Sequence, residues 1–115
     1  MSLQSTEEEC AANAVAPRVT LASMEANIAA RYDFIAGDAI SAIPLPAIVP
    51  TAPLDLLSIC ILQMKNGFCV IGKSAPASAA NFNAELGKKL AYEDAIRQLW
   101  PLEGYQLRTQ MAAGQ

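Results

Sequence analysis

The residues best suited to chemistry lie in the second half of the chain. Asn81-Phe82-Asn83 sets an aromatic ring between two amides, immediately ahead of a helical pattern. Such a ring can stack on a base while the amides pair with its edge, and the positive end of the helix dipole faces phosphate. Tyr92, farther along the same helix, can extend that stacking surface. Arg97 and Arg108 are candidate phosphate forks, because a guanidinium holds phosphate through two parallel hydrogen bonds. Lys73 is a candidate cation on a neighbouring strand. Each has a plainer alternative. Phe82 can be a core anchor with one asparagine as the helix N-cap. Arg97 can be spent on Glu93 and Asp94. Lys65 and Lys73 can guard a strand edge, and Tyr92 can be half-buried packing. Arg108 has no acidic neighbour after Glu103 and is the freer arginine.

Other chemistries find few residues. The 115 residues include no histidine, which removes Ser-His-Asp triads, Cys-His pairs and histidine metal sites together. Cys10, Cys60 and Cys69 lack the short spacing of a zinc site and are too few and scattered for a secreted disulfide framework. Gly67 to Ser74 matches G-x-x-x-x-G-K-[ST], but Phe68, Cys69, Val70 and Ile71 belong in a strand and Ala75-Pro76 follows where a P-loop needs a helix. No cofactor and no enzymatic activity are expected. Eight basic against eleven acidic residues give a net charge of −3, which argues against bulk nucleic-acid binding. Hydrophobic residues make up 53% of the chain, enough for a core, although 22 of the residues are alanine. An acidic opening with Glu7, Glu8 and Glu9 is no signal peptide. Apolar stretches broken by prolines fall short of the ~20 residues of a membrane helix. The expectation is a reduced, cytoplasmic protein with no membrane partner.

The elements that must position these residues follow from pattern. Residues 1–17 read as a flexible tail and 18–115 as a single domain. Val19, Leu21, Met24, Ile28 and Tyr32 mark an amphipathic helix of roughly three turns, capped by Thr20 or Ser23 and stopped near Gly37. Residues 42–53 carry Pro44, Pro46, Pro50 and Pro53, an extended apolar connector. Asn66-Gly67 between two β-rich runs predicts a hairpin with a type I′ turn. That register sets Lys73 opposite Cys60 and leaves Cys60 and Cys69 on one face without a disulfide. Its first strand is apolar on both faces and needs cover on both. A helix then runs from about Asn81 or Asn83 to Trp100, burying Phe82, Leu86, Leu90, Ile96 and Trp100, with Ala91, Ala95 and Leu99 nearby. Pro101 ends it, Glu103 to Tyr105 turns, and Gln106 to Thr109 forms a short strand or further helix. The fold class is α+β: a hairpin-centred antiparallel sheet packed against a long C-terminal helix, with an N-terminal helix. The two-faced strand and the apolar connector point to a homo-oligomer, a dimer or higher such as a hexamer.

One ordered set of motifs spans residues 54–108: Lys65-Asn66-Gly67-Phe68, Gly72-x-Ser74, Asn81-Phe82-Asn83, Glu85 to Lys89, and Trp100-Pro101-Leu102-Glu103-Gly104-Tyr105. In this order they resemble a family of small tailed-phage and prophage proteins with an N-G-F, G-x-S, N-[FY]-[DN] and W-x-L-E-G-Y core. Asn83 stands where an Asp is common there, and the proline-rich segment is longer and more apolar. That family is similar to the first type of Thoeris anti-defence protein: phage sponges that bind cyclic ADP-ribose signals, some also taking cyclic oligonucleotides, in symmetric oligomers with sites near subunit contacts. The resemblance implies sequestration of a cyclic nucleotide second messenger in the host bacterial cytoplasm, with Phe82 at the site and Tyr92 and Arg108 as neighbours. The alternative is a structural or regulatory phage protein acting through protein–protein contacts.

Overall fold

A computed structural model describes residues 3–13, 17–44 and 52–114. The chain runs α1 (Leu3–Asn13), α2 (Leu21–Ala26), β1 (Ile28–Ile35), α3 (Ala36–Ser41), a 3-10 turn (Ala52–Leu56), β2 (Ser58–Met64), β3 (Cys69–Ser74), a second 3-10 turn (Ala79–Asn81) and α4 (Ala84–Ala113). The three strands form an antiparallel sheet in the order β1-β2-β3, and α4 packs on β2 and β3. The α+β class holds, with the long C-terminal helix and an N-terminal helix in place.

Four expectations change. The stretch read as a loose tail contains α1, tied to the chain beyond it by Arg18, whose guanidinium holds Glu7 at 3.0 Å. The three-turn helix over residues 19–32 is a six-residue helix followed by a strand. Thr20 caps α2 reciprocally with Ser23, and Asn27 closes it. Val19, Leu21, Met24 and Ile28 still reach the core, so a strand satisfies the same apolar spacing after one short helix. Gly37 lies inside α3 and stops nothing. Pro101 does not end α4, which runs 30 residues through it, so residues 103–109 are neither turn nor strand. Proline removes the N–H that would bond the Arg97 carbonyl, but both residues are exposed, so water can take that carbonyl. The connector expected over residues 42–53 falls mostly on residues 45–51, outside the described residues.

The hairpin exists with its register one residue away from expectation. Cys60 faces Gly72, Leu62 faces Val70 and Gln63 faces Cys69. Among the described residues Gly67 alone has a positive φ, 90°, whereas a type I′ turn needs two such residues. Gly67 donates to Met64 O and Met64 donates to Phe68 O, closing a three-residue Lys65-Asn66-Gly67 loop. Slipping the pairing by one flips every β3 side chain. Lys73 therefore shares a face with Ile59, not Cys60, and Cys60 and Cys69 lie on opposite faces, both free thiols.

The sheet's covered face carries Cys60, Leu62, Met64 and Val70 against Ala91, Ala95, Ile96 and Leu99 of α4. Gly72 makes this packing possible: a Cβ there would run into the Ala91 carbonyl and lie 2.6 Å from Ala95 N. Leu86 and Leu90, expected in the core, are 50% and 40% exposed, because the helix overhangs the end of the sheet there. Tyr105 is 78% exposed. The opposite sheet face has Tyr32, Phe34, Ile59, Ile61 and Ile71, with Tyr32 and Ile71 more than half exposed.

Two glycines in this packing separate experimentally. Gly72→Ala should cost about 1–3 kcal/mol by overpacking. Gly104, inside α4 with nothing within 4 Å of a Cβ, should gain about 0.5–1 kcal/mol on substitution by Ala. Urea unfolding of the two variants, read at constant m-value, checks both signs.

Candidate functional site

The Asn81-Phe82-Asn83 segment sits at the head of α4, where the helix overhang and the ends of β2 and β3 enclose a small cavity of about 100 Å³. Asn83 is the N-cap: its Oδ1 accepts from Leu86 N at 3.1 Å, leaving the Nδ2 donors. Ser78 caps the 3-10 turn that delivers Asn81, and Phe82 follows it half-buried. Ser58 closes the cavity from β2. It is 3% exposed, and its hydroxyl has no hydrogen-bond partner. Gly87 leaves room for that hydroxyl, which a Cβ would strike. An orphaned buried hydroxyl carries a desolvation cost of roughly 1–3 kcal/mol. About three waters' volume fits here, room for a phosphate-sized group but less than the roughly 150 Å³ of a cavity that binds benzene.

The other predicted residues are elsewhere. Tyr92 lies on the covered side of the sheet under Arg31, whose guanidinium carbon stands 4.0 Å from the ring centroid. The Tyr92 hydroxyl donates a short hydrogen bond to Glu25. Burial first, and Glu25 second, hold its phenol far above the ordinary range. Arg31 also pairs with Asp33 at 2.9 Å. Between them the Cys60 thiol is pushed up to about 11, first by burial and then by the Asp33 charge. Tyr92 is therefore engaged by α2 and β1. Arg97 is exposed and makes no ion pair among the described residues; Asp94, expected to hold it, instead accepts from Lys73 N at 2.9 Å and from Gln98. Lys73 points its side chain to the open face of the sheet. Arg108 is 25 residues beyond Asn83 on α4, about 37 Å away at 1.5 Å per residue. The chain thus brings together Asn81, Phe82 and Asn83, and holds Tyr92, Lys73, Arg97 and Arg108 apart from them.

A larger groove, about 370 Å³, lies at the other end of the sheet. Met64 and Leu99 floor it, Phe68 and Leu102 wall it, and Lys65, Asn66, Glu103 and Gln106 supply its polar groups. Asn27 donates to Glu103 at 3.3 Å across it. Its volume falls in the ordinary range of ligand pockets. Reading the sequence missed it, although both halves were in view: the Asn-Gly-Phe and Trp-Pro-Leu-Glu-Gly-Tyr motifs meet here. They are 34 positions apart, and only a continuous helix through Pro101 carries the second to the first.

Residues 19–111 match the model of the phage protein (N4 Gp49/phage Sf6 gene 66) family. The chain belongs to that family. The match runs from the approach to α2 to the last turns of α4 and so includes both cavities; α1 precedes it. No curated protein and no solved structure matches the chain. No helix among the described residues is long and apolar enough to cross a membrane.

The two described cysteines should differ sharply in reactivity. At pH 8 a pKa of about 11 leaves roughly one Cys60 in a thousand as thiolate, and it is also buried. In a Cys10→Ser background, a chromogenic disulfide reagent should label Cys69 at once and Cys60 only after unfolding. Two rapid equivalents in native protein would contradict this placement.

Proposed function

We propose that this phage protein binds and sequesters a cyclic nucleotide signal without cleaving it, as a homo-oligomer in the host bacterial cytoplasm. Cyclic ADP-ribose isomers come first among the ligands, cyclic di- and trinucleotides second. The observation that carries the reading is the cavity at the head of α4, where half-buried Phe82, the Asn81 and Asn83 amides and an unpartnered Ser58 hydroxyl converge. A stackable ring beside unspent donors suits a base or ribose edge, and stacking contributes ~1–3 kcal/mol per base. A bound ligand group would give Ser58 the partner it lacks.

The site is incomplete in one protomer. The cavity holds only a small group of a ligand, and the arginine proposed for phosphate, Arg108, stands toward the far end of a 30-residue helix. Arg108 reaches a ligand at Phe82 from a second copy. The second reading, action through a protein partner alone, rests on the apolar open face of the sheet.

Calorimetry against cyclic ADP-ribose isomers and cyclic oligonucleotides tests the proposal. At least one should bind below ~10 μM, about −7 kcal/mol, and heating the complex should release it intact. Phe82→Ala and Arg108→Ala should each weaken binding roughly ten- to hundredfold. Mixing the two variants under subunit exchange should restore part of the sites, because some pairs then hold one intact Phe82 and one intact Arg108. If no panel member binds below ~10 μM, the protein-partner reading replaces this one.

A further inference from the structure

We propose that β1 pairs antiparallel with β1 of a second copy of this chain, across a two-fold axis at Tyr32, so that Arg31 faces Asp33 of the partner subunit. This deepens the self-association part of the functional reading and rests on it; the ligand does not enter.

The two edges of the sheet are treated differently. Along β3, α4 occupies the outward backbone groups: Asp94 accepts from Lys73 N at 2.9 Å and Gln98 donates to Ile71 O at 2.7 Å. Those groups cannot receive another strand. Along β1, the Ala36 N–H bonds toward β2, and from there back to the register shift between Ile28 and Ala30 alternation turns the backbone groups of Arg31, Asp33 and Ile35 outward. Among the described residues no strand or side chain is recorded bonding them. Such a row is a template for another strand.

Charge selects the register. A lone charge on an edge discourages pairing, but opposite charges two residues apart on one face specify it. Antiparallel pairing about Tyr32 places Arg31 across from the partner's Asp33 and Asp33 across from the partner's Arg31. Shifting the axis to Asp33 or Arg31 sets like charges directly opposite, which is unfavourable. Arg31 and Asp33 both project to the helix-covered side, so the four charges form one cluster. Asp33 has unspent capacity there. Its Oδ2 takes Arg31, while its Oδ1 is buried and has no hydrogen-bond partner. The terminal torsion of an aspartate is soft, so a small rotation offers that oxygen to the partner's guanidinium. On the other face the axis sets Tyr32, 55% exposed, against its own copy.

The register is testable by a symmetric cross-link. Residues facing each other across the axis form a non-hydrogen-bonded pair with Cα atoms ~4.5 Å apart, within disulfide range. In a Cys10→Ser, Cys69→Ser background, Tyr32→Cys should give a covalent dimer on mild oxidation. Phe34→Cys, which would face Ala30 of the partner subunit, should not. By sedimentation, Asp33→Arg should weaken dimerisation at least tenfold, and the exchange Arg31→Asp with Asp33→Arg should restore it, with circular dichroism checking that each variant is folded. A monomeric full chain at micromolar concentration overturns both this pairing and the self-association it rests on. An oligomer that survives Asp33→Arg and does not cross-link at position 32 overturns the pairing alone.

Discussion

The structure depends on how closely α4 approaches the sheet. Gly72 on β3 lies under Ala91 and Ala95, and no side chain fits between the two backbones. Helix and strand are therefore nearly in contact along one line. Everything near that line is set by it. Asp94 and Gln98, one helical turn apart, fall beside the strand edge and bond its backbone. Larger side chains are pushed outward along the helix, toward Leu62 and Met64 on one side and the head of β2 on the other. Because the sheet is only about as long as six or seven residues and the helix has 30, the helix overhangs both ends. The small cavity under Phe82 and the larger groove under Leu102 are the two overhangs.

Much of this was legible in the sequence. The Asn-Gly hairpin, the alanine-lined helix and the Asn83 cap follow from local chemistry and are present. The failures have physical causes. A three-residue loop with a single positive φ at Gly67 competes with a two-residue loop for the same Asn-Gly pair, and choosing wrongly turned Lys73 to the wrong face. Residues 28–35 alternate with period two, yet Val19 to Tyr32 also satisfies a helical period, and Asn27 as a C-cap is a weak stop. Pro101 was read as a terminator because its local cost is about 3 kcal/mol; packing of Leu99 and the Asn27–Glu103 bond hold the helix on both sides of it. Of the candidate site, the Asn-Phe-Asn segment was readable from sequence. Ser58 was not, since nothing in Ser-Ile-Cys-Ile shows a hydroxyl that ends buried and unpartnered.

Strand β1 reverses the usual orientation of a strand beside a core. Its polar residues, Arg31 and Asp33, point to the helix side, and its apolar ones, Tyr32 and Phe34, point away. This inverts the pattern of a sheet with one buried face. The inversion works because α4 lies over β2 and β3, and β1 is left with Tyr92 and Glu25 as its helix-side neighbours. A cation stacked on a ring and a carboxylate beside a thiol take the place of core.

The core that results is thin. Among the described residues its largest fully buried side chains are Met24, Leu62, Ile96, Leu99 and Cys60, and alanines fill the rest of the contact. A chain of this size buries a modest share of its surface, and alanines contribute little transfer free energy. The apolar area the fold leaves outside, on the open face and along the distal half of α4, is the area a larger core would have used. A second copy or a partner that covered this area would stabilise the fold by mass action. The elongated shape, 60 × 29 × 17 Å, points the same way, since a long thin protomer has surface to share and little interior. Along it, Phe82 and Arg108 stand about 37 Å apart. A site that used both would have to be built between two copies.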